Sequence, residues 1–208
     1  DDQNLCLKAY YLLKQDHHID PVKIHLLKNI PIGAGLGGGS SDASSTLELL
    51  NNYFKLNLSK NQLKSYAAQL GADCPFFIDN QAMYAQGIGT ELSEIDVDLS
   101  AYQIVVIKPD IHISTAEAYR NVMTPSVNLK EAIRLPIQEW KYQIINDFEI
   151  SLFDRYPVIG DIKAKLYEKG AIYASMSGSG SSVFGIFENL EGLEELNKYG
   201  KFFLPVNL

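Results

Sequence analysis

Apolar and polar positions follow two different spacings along this chain. Apolar residues recur every three or four positions over 4–14, 42–54 and 61–70, which predicts three amphipathic helices, the first with Asn4 as its N-cap. The same spacing predicts helices at 115–122, 148–154, 158–168 and 190–198. Alternating or continuous apolar runs predict strands at 22–27, 75–78, 82–85, 102–107, 171–176, 182–187 and 201–206.

An acidic stretch over 91–98 divides the chain into two parts. We therefore predict one domain at residues 1–98 and a second at 99–208. In the second part, a strand, helices, a strand hairpin, a helix and a last strand follow one another, an order that predicts a two-layer sandwich. The predicted fold class is α+β with two domains.

A glycine-rich segment precedes the predicted helix at 42–54. Five of the seven residues at 33–39 are glycine, so the main chain there carries few side chains. Glycine lets successive amide N–H groups turn toward one anion, and the N-terminus of the next helix adds a positive dipole. The sequence thus predicts a phosphate loop made of Pro31, Ile32, Gly33, Ala34, Gly35, Leu36, Gly37, Gly38, Gly39, Ser40 and Ser41.

Three other interpretations of this loop compete. The segment contains G-x-G-x-x-G, but Pro31 separates it from the predicted strand, and residues 55–59 lead to another helix instead of a second parallel strand. It also has the frame of a Walker A loop, yet Gly39 stands where the lysine belongs, so a cation must come from elsewhere. A flexible linker is disfavoured because linkers rarely lie between a strand and an amphipathic helix.

A second glycine-rich segment lies at 177–181. Alone it is typical of a tight hairpin connection. Together with the first glycine-rich segment it predicts one ligand cleft, because small residues admit a bulky ligand.

Asp73 is the candidate catalytic base. It lies among alanine, cysteine, proline and phenylalanine just after a predicted helix, a setting that predicts burial and a raised pKa. The alternative is an aspartate that caps a turn. Near a phosphate loop, a carboxylate that accepts a hydroxyl proton indicates a kinase. The other acidic residues and the four histidines are predicted to lie on the surface or in strands.

Charge and composition limit the partners. The chain has 208 residues, of which 46% are hydrophobic, and a net charge of −7, which argues against nucleic-acid and anionic-membrane surfaces. Two cysteines are too few for a disulfide framework, so we expect a reducing, cytoplasmic location. No apolar run is long enough to span a bilayer. The chain starts without methionine, and we expect it to be part of a longer protein. The sequence assigns no oligomeric state.

Four motifs in this order resemble the GHMP kinases, a family that includes galactokinase, homoserine kinase and mevalonate kinase. They are Gly-Gly-Gly-Ser-Ser-Asp at 37–42, Gly-Ala-Asp-Cys-Pro-Phe-Phe at 71–77, Ala-Gln-Gly-Ile-Gly at 85–89 and Asn-Asp-Phe-Glu at 146–149. The late glycine motif at 175–181 is also similar. The resemblance extends over essentially the whole chain, and it is strongest to the branch that phosphorylates a cytidine diphosphate-linked polyol in isoprenoid biosynthesis.

The resemblance implies a fold and a set of roles. It implies a ribosomal-protein-S5-like first domain and a ferredoxin-like second domain. ATP would bind at residues 31–41, with Lys28 and Asn4 lining the adenine pocket, and Asp73 would be the base toward the substrate hydroxyl. Tyr119 would stack on cytosine, unless it is a core residue, and Thr115, Ser177 and Gly178 would contact the substrate. Mg²⁺ would arrive with ATP near Ser40 or Ser41.

One departure and three alternatives remain at this stage. The family begins with a strand whose lysine pairs with the aspartate, followed by a Gly-Tyr-His-like segment, and neither is present in this sequence. We therefore expect this chain alone to be inactive. The alternatives are a GHMP kinase for mevalonate-type or homoserine-type substrates, a non-catalytic nucleotide or sugar sensor and, disfavoured by the acidic charge, an RNA-binding module.

Overall fold

A computed structural model describes residues 3–120, 122 and 128–204, and the chain divides into two units. The first unit contains the residues up to Ile32 together with Gly37–Ile95. The second contains Gly33–Leu36 and the chain from Asp96 onward. The observed division falls near the predicted boundary after Asp98, but four residues of the first glycine-rich segment belong to the second unit, which was not predicted.

The first unit consists of four helices and a strand hairpin. Its elements are α1 (Leu5–Asp16), α2 (Gly38–Tyr53), α3 (Lys60–Leu70), α4 (Cys74–Asp79), β1 (Met83–Gln86) and β2 (Glu91–Glu94). Asn4 caps α1 as predicted, since its side chain accepts a hydrogen bond from the Cys6 N–H. Ser59 and Gln62 form a capping box at the start of α3. Buried residues from all four helices, including Leu13, Leu47, Leu63 and Ile78, form one core.

Two strand predictions in this unit are wrong. Residues 22–27 form no strand in the described part of the chain, and Ile24, Leu26 and Leu27 are exposed. Residues 75–78 belong to α4 instead. A proline in the first turn suits a helix, and Cys74, Pro75 and Ile78 are all buried in this short helix, which contacts α2 and α3. Periodicity shows which positions are apolar, but it does not show whether a neighbouring strand is present to pair with them.

Smaller differences concern element ends. Helix α2 begins four residues before the predicted start, at Gly38, and part of the acidic stretch at 91–98 forms β2. Gly71 ends α3 as the C-cap residue in an extended conformation.

The second unit contains a four-stranded antiparallel sheet in the order β4-β5-β3-β6. The strands are β3 (Gln103–Lys108), β4 (Tyr173–Met176), β5 (Val183–Phe187) and β6 (Lys201–Phe203). The helices are α5 (Thr115–Tyr119), α6 (Leu129–Ala132), α7 (Ile137–Gln143), α8 (Phe148–Arg155), α9 (Pro157–Glu168) and a 3₁₀ helix (Glu194–Tyr199). The predicted α-helix at 190–198 is therefore a shorter 3₁₀ helix. Residues 121, 205 and 206, at the ends of two other predicted elements, lie outside the described residues.

The core of the second unit lies between α9 and the sheet. Ile159, Ile162 and Leu166 of α9 pack with Val105, Ile107, Val183 and Phe187 of the sheet, and all are at most 1% exposed. Trp140 of α7 packs in a separate cluster with Tyr173 and Ile186. Helices and antiparallel strands in both units confirm the predicted α+β class.

Candidate active site

The first glycine-rich segment needs glycine at specific positions. Gly33, Gly35 and Gly37 have φ angles of +70°, +74° and +64°, in the left-handed region that side chains disfavour. At Gly35, a Cβ atom would lie 2.4 Å from the Ser177 carbonyl oxygen and 2.6 Å from that of Gly180. At Gly37, a Cβ atom would lie 2.7 Å from Cζ of Phe77. Conformation and close packing therefore both exclude side chains at these two positions.

Helix α2 begins at Gly38, within this segment, and its first N–H groups have no partner inside the helix. The Ser41 N–H donates to the Gly37 carbonyl oxygen at 2.9 Å, so the N–H groups of Gly38, Gly39 and Ser40 precede the first helical hydrogen bond. The first turn contains no acidic residue. This 16-residue helix thus presents donors that have no partner within the helix and a positive dipole end, an arrangement that binds anions.

Lys28 brings a cation to the same helix end. Its Nζ lies 2.5 Å from Oδ2 of Asp42 and 3.1 Å from the position of a Cβ atom at Gly38. The Lys28 ammonium thus lies beside the first turn of α2, where it is paired with the Asp42 carboxylate. Its predicted role at adenine stays a prediction, as does that of Asn4, whose side chain caps α1.

Asp73 is exposed at the N-cap position of α4, and its side chain makes no capping hydrogen bond there. The expectation of a buried carboxylate was therefore wrong, because the neighbouring Cys74 and Pro75 point into the core while Asp73 does not. The turn-capping alternative lacks its hydrogen bond as well. The Oδ1 atom of Asp73 lies 3.8 Å from the position of a Cβ atom at Gly89, in the β1–β2 turn.

Asp73 also acts on the neighbouring thiol. Burial raises the pKa of Cys74, a hydrogen bond with Ser40 opposes this shift, and the charge of Asp73 adds to it. Cys74 thus stays a neutral thiol.

The structure brings the two glycine-rich segments into contact within the second unit. Ser177 Oγ donates to the Gly35 carbonyl oxygen at 2.8 Å, and the Ser182 N–H donates to the Ala34 carbonyl oxygen at 3.2 Å. The segment Gly33–Leu36 is thereby held by the connection between β4 and β5. The predicted substrate contacts of Ser177 and Gly178 stay predictions.

Tyr119 is 63% exposed, so the core-packing alternative is wrong. Its ring makes an edge-to-face contact with Phe148, with ring centroids 4.9 Å apart. Thr115 starts the same short helix, and Glu117 anchors that helix by accepting hydrogen bonds from Arg155 at 2.6 Å and Tyr156 at 2.9 Å. These two donors lower the pKa of Glu117.

Asn146 and Glu149 have no predicted role, although their motif is one of the four that resemble the family. Asn146 Nδ2 donates to the carbonyl oxygens of Met176 and Gly178, both at 2.8 Å. Glu149 is 4% exposed and accepts hydrogen bonds from the Met176 N–H and from Lys163. A buried glutamate is rare unless it is paired, but the sequence does not reveal burial or partners at such separations.

Across the described ranges, no group of three or more histidine, cysteine or acidic side chains is placed to hold a metal ion. Within those same residues, no helix has the length and apolar character required to cross a bilayer.

The comparisons with known proteins assign the family. The model of the GHMP kinases N terminal domain matches residues 4–84, and that of the GHMP kinases C terminal domain matches residues 130–201. The chain therefore belongs to the GHMP kinase family.

Individual relatives are more specific. A 4-diphosphocytidyl-2-C-methyl-D-erythritol kinase of Bacteroides thetaiotaomicron is 57% identical over 90% of this chain and 69% of its own length. A protein of the same name from Bacteroides fragilis is 52% identical over 94% of this chain and 72% of its own length. A crystal structure of 4-(cytidine 5'-diphospho)-2C-methyl-D-erythritol kinase superimposes with a TM-score of 0.82 at 29% identity, covering 97% of this chain and 76% of that one.

Proposed function

We propose that this protein transfers the γ-phosphoryl group of ATP to a hydroxyl on the methylerythritol part of 4-diphosphocytidyl-2-C-methyl-D-erythritol. The 57% identity to a relative of that name over 90% of this chain is the observation that carries the proposal. The site geometry supports a phosphoryl transfer, because free helix N–H groups, a lysine and an exposed carboxylate occur together in the first unit. Such reactions depend mainly on positioning and charge stabilisation.

The ATP phosphates bind at residues 31–41. The N–H groups of Gly38, Gly39 and Ser40 donate to phosphate oxygens, since they have no partner within α2. Gly35 and Gly37 give the preceding main chain the left-handed turns that side chains would prevent. Lys28 contributes positive charge at the same helix end, where Asp42 holds its ammonium group.

Asp73 accepts the proton of the substrate hydroxyl. The hydroxyl oxygen forms a bond to the γ-phosphorus as the bond from that phosphorus to the β,γ-bridging oxygen breaks, and ADP leaves. An exposed carboxylate without a capping hydrogen bond remains able to accept that proton.

The residues at α2 fit a magnesium ion that accompanies ATP. Mg²⁺ binds mainly through substrate phosphates and water with one or two protein ligands, so it does not require the three-ligand cluster that the described residues lack. Ser40 and Ser41 lie in the first turns of α2, and either hydroxyl would serve as a protein ligand. When bound, the ion neutralises charge on the β- and γ-phosphates.

Tyr119 binds the cytosine ring. An aromatic ring that is 63% exposed and supported on one edge by Phe148 offers a face for base stacking. Thr115 on the same helix, together with Ser177 and Gly178, completes the substrate contacts.

The test is a coupled assay of ADP release by the full-length gene product with three acceptors in parallel: the cytidylyl substrate, mevalonate and homoserine. We expect turnover with the cytidylyl substrate alone. Turnover with mevalonate or homoserine alone would assign a different GHMP kinase activity. Tight ATP binding by calorimetry without turnover on any acceptor would indicate a nucleotide sensor.

A further inference from the structure

The motif at 146–149 contacts both the second glycine-rich segment and Tyr119, two parts of the second unit with separate proposed roles. Asn146 and Glu149 bind the main chain that leads into the second glycine-rich segment, and Phe148 contacts Tyr119. We call these three side chains the clamp. None of them is proposed to contact ATP or substrate.

Hydrogen bonds on both sides of the Asn146 side-chain amide fix its orientation. Its two N–H donors reach the carbonyl oxygens of Met176 and Gly178, both at 2.8 Å. Its Oδ1 accepts from the Phe148 N–H at 3.0 Å. An amide in this arrangement cannot be replaced by a carboxylate of the same shape, because oxygen would then face two carbonyl oxygens.

Glu149 holds the same stretch from inside the unit. Its Oε1 accepts from the Met176 N–H at 2.7 Å and from Ser175 Oγ at 3.1 Å, while its Oε2 lies 2.5 Å from Lys163 Nζ. The carboxylate is 4% exposed, so a paired charge fixes the main chain at the end of β4.

The stretch that the clamp holds reaches the first glycine-rich segment. Ser177, directly after Met176, donates through Oγ to the Gly35 carbonyl oxygen at 2.8 Å. A displacement of the main chain at 176–178 therefore moves the only side-chain hydrogen bond that the described residues provide to Gly35.

We propose that Asn146, Phe148 and Glu149 are positioning residues that fix the second glycine-rich segment and Tyr119 together. Asn146 and Glu149 act through Ser177 on the phosphate-binding segment, and Phe148 acts through the Tyr119 ring on the cytidylyl substrate. The inference rests on the proposed function for its kinetic part and on the contacts alone for its structural part.

Asn146→Asp tests the contact of the clamp with the second glycine-rich segment, and Phe148→Leu tests its contact with Tyr119. In Asn146→Asp of the full-length gene product we expect kcat to fall by about 10–100-fold, since small misplacements remote from the reacting atoms can reach that size. The KM of ATP should rise as well, because Asn146 acts through Ser177 on the first glycine-rich segment. In Phe148→Leu we expect the KM of the cytidylyl substrate to rise by about 2–10-fold, the usual worth of an aromatic pair, with the KM of ATP unchanged.

Asp147→Asn is the matched control, because Asp147 lies inside the same motif and its side chain does not cap α8. It should leave both kinetic constants and the melting temperature unchanged. If Asn146→Asp does not fold, Asn146→Ala removes the donors without adding repulsion and is measured in the same way.

Hydrogen exchange separates failure of the clamp from failure of the proposed function. Asn146→Asp should accelerate exchange of the amides at 177–182, and Asp147→Asn should not. Wild-type protein without turnover on the cytidylyl substrate would overturn the proposed function, while the exchange result would still decide the structural arm. The clamp is overturned if the Asn146 and Asp147 variants exchange and react alike, or if every kinetic constant changes only in proportion to lost thermal stability.

Discussion

The two glycine-rich segments differ in how far their main-chain polar groups are hydrogen-bonded. The segment before α2 ends in a helix whose first N–H groups have no helical partner, beside a lysine at the same helix end. The segment after β4 is bound by side chains of Asn146 and Glu149 and by its own hydrogen bonds. One segment leaves donors available, and the other fixes the main chain.

The difference separates two requirements of catalysis. Groups that bind phosphate or accept a proton must be free before the ligand arrives, so they contribute little to stability. Groups that hold those elements in place work best when every hydrogen bond is made, because a half-satisfied buried network destabilises the fold. Substitutions at the first kind of group should change chemistry, and substitutions at the second kind should change geometry or stability.

Among variants of groups that must be free before the ligand binds, Asp73→Asn should have the largest effect on turnover. In the full-length gene product we expect kcat to fall by about 10²–10⁴-fold, the usual share of general acid–base catalysis, because the amide accepts a proton far less readily. ATP affinity and melting temperature should barely change, since the Asp73 side chain does not cap α4. Steady-state kinetics, calorimetry and a thermal melt measure all three.

Asp79→Asn is the control for Asp73, because Asp79 ends the same helix and pairs with Lys64. It should lower the free energy of unfolding by about 0.2–1 kcal/mol and leave kcat unchanged. A wild-type rate in Asp73→Asn together with a lower melting temperature would show that Asp73 is structural.

Gly35→Ala should break the contact between the two segments. The new Cβ atom would lie 2.4 Å from the Ser177 carbonyl oxygen, and the φ angle of +74° is strained for alanine. We expect the free energy of unfolding to fall by about 2–4 kcal/mol and ATP binding to be lost.

Gly192→Ala isolates the contribution of the φ angle, because Gly192 has a φ of +64° and open space around its Cβ position. It should cause a smaller loss of stability, about 1–2 kcal/mol, and no loss of ATP binding. Equal effects in denaturation and calorimetry for the two variants would refute the importance of the contact at Gly35.

Tyr119→Ala should weaken binding of the cytidylyl substrate by about 1–3 kcal/mol, the usual contribution of stacking between a base and an aromatic ring. The KM of ATP should stay constant, and the exposed ring should contribute little to stability. Tyr142→Ala removes another exposed ring, 66% accessible, and should change neither KM. A parallel rise of both KM values in Tyr119→Ala would argue against a cytosine site.

The smallest expected effect is a pH dependence at α5. Hydrogen bonds from Arg155 and Tyr156 lower the pKa of Glu117 in the folded chain. Their stabilisation is therefore present above the ordinary glutamate pKa of 4.5 and is lost as pH falls through the lower folded value. The melting temperature of Glu117→Gln should lie slightly below wild type at pH 7, and the gap should close below pH 4.5. A gap that is constant from pH 7 to pH 3 would contradict this assignment.

The sheet of the second unit was largely predictable from the sequence. Strands β3, β4 and β5 fall within two residues of their predicted bounds, because buried strands require apolar runs of that length. Residues 22–27 have a similar pattern without a strand, since pairing depends on a neighbour that the pattern does not describe.

The site was predictable to a different degree. Glycine content indicated the first segment, but the sequence did not show that Gly35 and Gly37 are confined by neighbours whereas Gly39 is not. Asn146 reaches carbonyl groups 30 and 32 positions away, and side-chain spacing carries no information about such partners. Burial of Asp73 was inferred from apolar neighbours, yet those neighbours belong to the inner face of α4 and Asp73 does not.

The second unit is not continuous in sequence, and this affects how it is made on the ribosome. The Gly35 carbonyl group can accept its hydrogen bond from Ser177 only after the ribosome has added Ser177, 142 residues later. At synthesis rates of about 5–20 residues per second, that interval is roughly 7–28 s. The helices of the first unit can form during this time, whereas the first glycine-rich segment gains this hydrogen bond only after Ser177 has been translated.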